Sequence, residues 1–252
     1  MTDISPSIVI DEYLQLKSPK ITNDIIEFLE STDMLEILIS RISGVSATKP
    51  GEVESDYVDN YRGNSLQNNT AKISEFEYTA IEQSWKLTRT LCGPEALKLY
   101  EDHKMASRLI VSLFRVFEVG ATGNFVHFRM VFFHACQNTP DLVGIVMNSN
   151  LIIQMLYRIV HPEIVDCLVV LFILVQMRKT HQERQVIFEQ LVDADFITIL
   201  TTKISTLPTN ASQQQSVFAA IECFKRIWKV TSGIPESYIM YLAILEIGRA
   251  HV

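Results

Sequence analysis

The stretch Asn150-Leu-Ile-Ile-Gln-Met-Leu-Tyr-Arg-Ile159 places Leu151, Met155 and Ile159 four residues apart, on one face of a predicted helix. Three other segments carry the same apolar stripe, each time directly after a polar residue: Met34, Leu38 and Ile42; Met105, Leu109 and Leu113; Phe196, Leu200 and Ile204. The first positions of successive stripes are 71, 46 and 45 residues apart. This spacing indicates a repeated helical unit.

A second apolar pair lies nine and five residues before each stripe. The pairs are Ile25 and Leu29, Ala96 and Tyr100, Leu142 and Val146, and Ile187 and Leu191. Each unit is therefore predicted to be a short amphipathic helix, a polar turn and a second helix. Such a period is typical of HEAT and armadillo repeats, which stack because one unit cannot bury its apolar face alone. We predict an all-α fold: a right-handed α-solenoid of about four units and a truncated fifth.

The repeats predict a single helical domain over residues 1–245. Residues 44–74 lack apolar periodicity and are rich in acidic residues, so we predict a flexible acidic loop there. Residues 246–252 look like the translation of a sequencing adapter, and Gly248 with its charged neighbours is expected to end the last helix. We interpret the chain as a fragment of a longer protein.

Apolar spacing also predicts which faces of two long helices point inward. In the helix over 75–91 these are Ile81 and Trp85, with Leu87 or Thr88. In the helix over 212–229 they are Val217, Ile221, Phe224 and Trp228.

Composition limits the classes of function. A net charge of −7 argues against nucleic-acid binding, which usually needs a basic face. Residues 1–84 alone contain 15 acidic and 6 basic side chains. Four isolated cysteines indicate reduced thiols in the cytoplasm or nucleus. The most apolar run, 167–175, is shorter than the roughly 20 residues that a membrane span needs, so no span is predicted.

Reactive or metal-binding groups give only a weak pattern. His127, His134 and Cys136 lie within ten residues, but no second ligand pair with zinc spacing exists, and the residues between them suit a core. The sequence contains no nucleophile signature, glycine-rich phosphate loop or paired-carboxylate motif. We therefore predict a non-enzyme with no metal and no cofactor. A helical hydrolase is the third alternative, and it would need a nucleophile and a base that the sequence does not display.

A row of polar residues on the second helices of the units is the candidate binding surface. Equivalent positions of a solenoid line one groove, so regularly spaced cations there suit an acidic partner. The alternative for this row is an ordinary solvated helix face. The acidic loop 44–74 is a second candidate: it is either a docking or phosphorylated segment or a tolerated insertion. The row is Arg41, Arg108, Ser112, Gln154, Arg158 and Lys203.

Several short strings resemble the SAPS-domain family, regulatory subunits of the protein phosphatase 6 class. The opening Asp11-Glu12, Leu14-Gln15, Asn23 and Ile25-Ile26-Glu27-Phe28-Leu29 is similar to the family's opening. An aromatic-led helix from Phe76 and the string Asn210-Ala211-Ser212 follow in the family's order, although Tyr78-Thr79-Ala80 stands where the family has Tyr-Pro-Ser. The resemblance covers about residues 11 to 230.

The resemblance implies a non-catalytic regulatory or scaffolding subunit in the cytoplasm or nucleus. Its implied partners are a type 2A-like serine/threonine phosphatase catalytic subunit, whose substrate choice or location it directs, and further scaffold proteins. It transfers no catalytic residue, because the metal-dependent chemistry belongs to the partner. The alternative is a HEAT or armadillo adaptor for other proteins, for example in trafficking.

Overall fold

The computed structural model describes residues 6–30, 34–44, 75–147, 150–178 and 180–250, with the backbone alone at 6–7, 75–78 and 246–250. Within these ranges all regular elements are helices, which confirms the all-α prediction. Apart from Gly44, the predicted acidic loop 44–74 lies outside the described residues. The α-helices are α1 Pro6–Gln15, α2 Asn23–Glu30, α3 Met34–Ser43, α4 Glu75–Leu91, α5 Leu97–Glu101, α6 His103–Leu113, α7 Phe125–Asn138, α8 Leu142–Met147, α9 Leu151–Tyr157, α10 Pro162–Gln176, α11 His181–Asp193, α12 Phe196–Ser205, α13 Ala211–Thr231 and α14 Tyr238–Ala250.

Local chemistry sets where these helices begin. The side-chain oxygen of Asn124 accepts from the backbone N–H of Val126 at 2.8 Å and caps α7. Asn210 accepts in the same way from the N–H of Gln213 at 2.9 Å and caps α13. Pro162 is the first residue of α10, where a missing backbone N–H costs nothing.

The chain divides into two compact units, residues 1–131 and 132–252. In unit 1, α3 packs against α1, α2, α4 and α6 and is the central helix. Its inward residues Leu35, Leu38, Ile39 and Ile42 are at most 1% exposed. In unit 2, α10 packs against α13, and eight of its fifteen residues are buried.

Two glycines allow a close backbone contact in unit 1. Gly44 ends α3 with a φ of +67°, in the left-handed region that glycine adopts without strain. A Cβ at Gly44 would lie 2.5 Å from the backbone nitrogen of Gly123, and a Cβ at Gly123 would collide with the carbonyl oxygens of Ile42 and Ser43. The end of α3 and the start of the α7 region can therefore approach this closely only without side chains.

The repeated stripes lie in the core with a few exceptions at helix ends. The middle positions Leu38, Leu109, Met155 and Leu200 are at most 1% exposed. From the face that it shares with Met155 and Ile159, Leu151 is also expected to be almost fully buried, and this expectation is wrong: it is the first residue of α9 and is only partly buried. The other partly buried stripe positions are Met34 and Ile204.

The predicted inward face of α4 is wrong for Ile81 and Trp85 and confirmed for Leu87 and Thr88. Ile81 and Trp85 are 49% and 42% exposed, whereas Ser84, Leu87 and Thr88 are buried. The hydroxyls tolerate burial because they are hydrogen-bonded: Thr88 Oγ1 donates to the carbonyl oxygen of Ser84 at 2.8 Å.

The predicted face of α13 is also wrong. Its buried residues are Ala220, Cys223, Ile227 and Thr231, while Trp228 is 46% exposed. Small side chains at the inward positions let α13 pack closely on α10 and α12. The predicted residues Val217, Ile221 and Phe224 are partly buried.

The last helix continues further than expected. We predicted that Gly248 and its charged neighbours end the helix, but α14 extends to Ala250. A single glycine costs a helix only about 1 kcal/mol, which is less than is needed to break it. The adapter origin of residues 246–252 stays a prediction.

Candidate partner-binding surface

In unit 1, two members of the polar row lie on neighbouring second helices. α3 and α6 pack side by side and carry Arg41 and Arg108 respectively. Arg41 Nη2 lies 2.6 Å from Asp11 Oδ1, and Arg108 Nη2 lies 3.1 Å from both oxygens of Glu36. Both guanidinium groups therefore already hold carboxylates within unit 1.

Ser112 does not lie on this surface. It is 5% exposed and is one of the buried residues of α6. Ser112 is the seventh residue after Met105, the position at which the other units have Arg or Lys. A serine hydroxyl can be buried in a helix, whereas Arg or Lys would keep its charge in water. A partner that docks on unit 1 in this conformation therefore does not reach Ser112.

In unit 2, Gln154 lies on α9, Arg158 directly follows the end of α9, and Lys203 lies on α12, which packs against α9. Arg158 is exposed, and Gln154 and Lys203 are partly buried. The Nζ atom of Lys203 lies 5.6 Å from the centre of the Tyr157 ring. We name Gln154, Tyr157, Arg158 and Lys203 the unit 2 patch.

The unit 2 patch combines an aromatic ring with two cations. Tyr157 is 64% exposed, and the ring face attracts the Lys203 ammonium group. Partial burial lowers the pKa of Lys203 from its usual value. Tyrosine and arginine at a surface are residues that protein interfaces favour. Sequence reasoning missed Tyr157, although its position three residues after Gln154 puts it on the same face.

A buried serine–histidine contact in unit 1 was also missed. Ser84 Oγ lies 2.7 Å from His127 Nδ1, and both residues are buried. The Trp85 ring centre is 5.6 Å from the imidazole centre, and burial lowers the pKa of His127, which favours its neutral form. This contact joins α4 to α7 and explains why α4 turns its hydroxyl face inward.

Among the described residues, no group of three or more His, Cys, Asp or Glu side chains is placed to hold a metal ion. Cys136 and Cys223 are buried, and burial raises the pKa of each thiol to about 12. These thiols are therefore poor nucleophiles and poor metal ligands at neutral pH.

In the part of the chain that the structure describes, no helix has the length and apolar character to cross a membrane. No family model, curated protein or solved structure matches the chain. The SAPS resemblance therefore stays a prediction from the residues.

Proposed function

We propose that this protein is a non-catalytic regulatory subunit that binds a serine/threonine phosphatase catalytic subunit of the phosphatase 6 class. It would act in the cytoplasm or nucleus and direct the substrate choice or location of the enzyme. The dephosphorylation chemistry would belong to the partner. The proposed overall architecture is a right-handed α-solenoid of HEAT or armadillo type.

Repeated packing within each unit supports the scaffold part of this proposal. In both units, second helices that are equivalent in the sequence repeat pack side by side: α3 with α6, and α9 with α12. Helix-repeat proteins use such neighbouring helices to present extended binding surfaces. The sequence resemblance supplies the class of partner.

The unit 2 patch is the single observation that carries the choice of surface. Tyr157 of α9 lies close to Lys203 of the adjacent α12, and Arg158 directly follows Tyr157 in the chain. Among the described residues, neither Arg158 nor Lys203 has an ion-pair partner, so an acidic surface would meet two available cations. Complementary charge at such a site mainly orients the partner and speeds its docking.

Reversing these two charges tests the proposal. The double variant Arg158→Glu/Lys203→Glu should capture the phosphatase catalytic subunit at least about tenfold less well, because charge repulsion replaces attraction at the patch. The defect should be greater at low salt, where screening is weaker. Affinity capture followed by immunoblotting for the catalytic subunit measures the effect.

Lys225→Glu/Lys229→Glu is the matched control, because it makes the same charge change at exposed positions of α13. The control should capture the partner as the wild type does, and both variants should melt at nearly the wild-type temperature. Equal capture by the patch variant would remove the patch from the interface. Recovery of coat or cargo proteins with no phosphatase would favour the adaptor alternative.

A further inference from the structure

A cleft of about 280 Å³ opens in unit 1, away from the polar row. Three parts of the chain form it: the segment between α1 and α2, the last turns of α4, and the turn before α5. The residues that matter for its chemistry are Lys17, Lys20, Lys86, Arg89, Thr90 and Glu95.

A threonine hydroxyl and two prolines hold the walls of this cleft in place. Thr90 Oγ1 lies within hydrogen-bonding distance of the carbonyl oxygens of Lys86, at 2.9 Å, and Pro19, at 3.2 Å, and thus links α4 to the segment after α1. Pro19 and Pro94 each have a fixed φ. At Gly93 a Cβ would lie only 3.3 Å from the carbonyl oxygen of Thr90. A cleft built this way loses little entropy when a ligand binds.

The charge of the cleft is opposite to that of the chain as a whole. Four cations and one carboxylate line it, whereas the net charge of the chain is −7. Lys17 and Lys20 are two of only six basic residues among the first 84, where acidic residues number 15. The cleft therefore concentrates positive charge in a chain that is acidic overall.

Two of the four cations are available to a ligand. Lys20 lies 3.1 Å from Glu95, and Lys86 lies 3.0 Å from Glu82. In the described ranges, Lys17 and Arg89 have no ion-pair partner, and both side chains are exposed. An incoming anion would thus meet a guanidinium and an ammonium group without ion-pair partners, while the one carboxylate of the cleft, Glu95, is paired with Lys20.

We propose that this cleft binds the phosphoryl group of a phosphorylated serine or threonine in a partner peptide. The arginine guanidinium matches the geometry of phosphate oxygens and binds them in a bidentate manner, while lysine adds a point charge. Small-molecule sites usually have volumes of about 300 to 1,000 Å³, so this cleft suits one phosphate-bearing side chain better than a nucleotide.

Exposed apolar side chains next to the cleft favour a peptide as the source of the phosphate. Leu16, which precedes Lys17, is 54% exposed, and Leu97, which follows the turn, is 39% exposed. Such residues can contact the neighbours of a phosphorylated residue, whereas free phosphate would make no use of them. The site does not depend on the proposed phosphatase partner.

Fluorescence anisotropy with two labelled peptide pools tests the site. One pool has a central phosphoserine with randomised flanking residues, and the other has serine at that position. The wild-type chain should bind the phosphorylated pool selectively, and inorganic phosphate should compete. Lys17→Gln/Arg89→Gln should weaken binding about tenfold or more, because it removes charge-assisted hydrogen bonds.

Three further samples make the result specific. Lys225→Gln/Lys229→Gln on α13 removes two exposed cations elsewhere and should bind as the wild type does. Arg89→Lys should retain part of the affinity, because the charge remains but the planar fork is lost. Equal binding by the double glutamine variant, or equal binding of both pools, would overturn the proposal. Binding to phosphoinositide vesicles without binding to the phosphopeptide pool would also overturn it.

Discussion

Replacing Glu236 with alanine is expected to lower the free energy of unfolding by about 3 to 5 kcal/mol, the usual cost of breaking a buried ion pair. The Glu236 side chain is 1% exposed. Its Oε1 atom accepts from Arg184 Nε at 2.9 Å and Nη2 at 2.7 Å, and lies 2.6 Å from His181 Nδ1. The alanine variant would leave the partly buried Arg184 without its carboxylate. Urea denaturation followed by circular dichroism at pH 7 measures the loss.

The same contact makes a prediction for acid. Hydrogen bonds from Arg184 lower the pKa of Glu236 to about 2, against the opposing effect of burial. Because the folded-state pKa is below the ordinary 4.5, the stabilisation is fully present above pH 4.5 and is lost as the pH falls towards 2. The difference in unfolding free energy between wild type and Glu236→Gln should therefore shrink across this interval.

Two comparisons separate this contact from a general effect of substitution. Glu222→Ala changes an exposed acidic residue of α13 and should alter stability by no more than about 0.5 kcal/mol. Arg184→Ala/Glu236→Ala should cost less than the sum of the single variants, because each single variant already breaks the contact. Additive losses would contradict the assigned coupling.

Met155→Ala is expected to destabilise the protein by about 2 to 5 kcal/mol, because it leaves a cavity in the core. Met155 is 0% exposed and lies on α9, which packs against α8, α10 and α12. Hydrogen exchange should show faster exchange in α9 and the helices that pack on it.

Met177→Ala is the matched control, since the same side chain is 72% exposed at the end of α10. It should change the midpoint of urea denaturation very little. A wild-type denaturation curve for Met155→Ala would refute the assignment of the repeated stripe to the core.

The sequence predicts most helices because their limits depend on local chemistry. Asn124 caps α7 from the adjacent position, and the polar residues before the stripes of α9 and α12, Asn150 and Asp195, directly precede these helices. Four-residue spacing also locates the buried middle positions, such as Leu109 and Leu200.

Inward faces were missed where a distant partner decides them. Ser84 is buried because it pairs with His127, which lies 43 residues away and which helical spacing cannot reveal. Thr231 is 0% exposed, and its hydroxyl donates to the Ile227 carbonyl or pairs with Tyr241. Trp228 packs on the outside, with 4.2 Å between its ring centre and that of Tyr241. Hydrophobicity alone therefore selects the wrong face of α13.

Contacts with distant helices also decide which members of the polar row are exposed or already paired. In unit 2, Lys203 lies on α12 and Arg158 directly follows α9, which packs against α12, and their part in binding stays a prediction. Repeat position alone does not reveal that Ser112 is buried or that Arg41 and Arg108 already hold carboxylates from other helices. The basic cleft joins residues 17–20 to residues 86–95, which are far away in sequence, so no local motif marks it.

Binding of the purified chain to a purified phosphatase 6-class catalytic subunit tests the central claim most directly. Isothermal titration calorimetry should give a saturable one-to-one complex with a dissociation constant of about 1 μM or tighter. Lys225→Glu/Lys229→Glu should reproduce this value, and Arg158→Glu/Lys203→Glu should weaken it. Absence of binding by the folded wild-type chain at concentrations well above that value would contradict the proposed function.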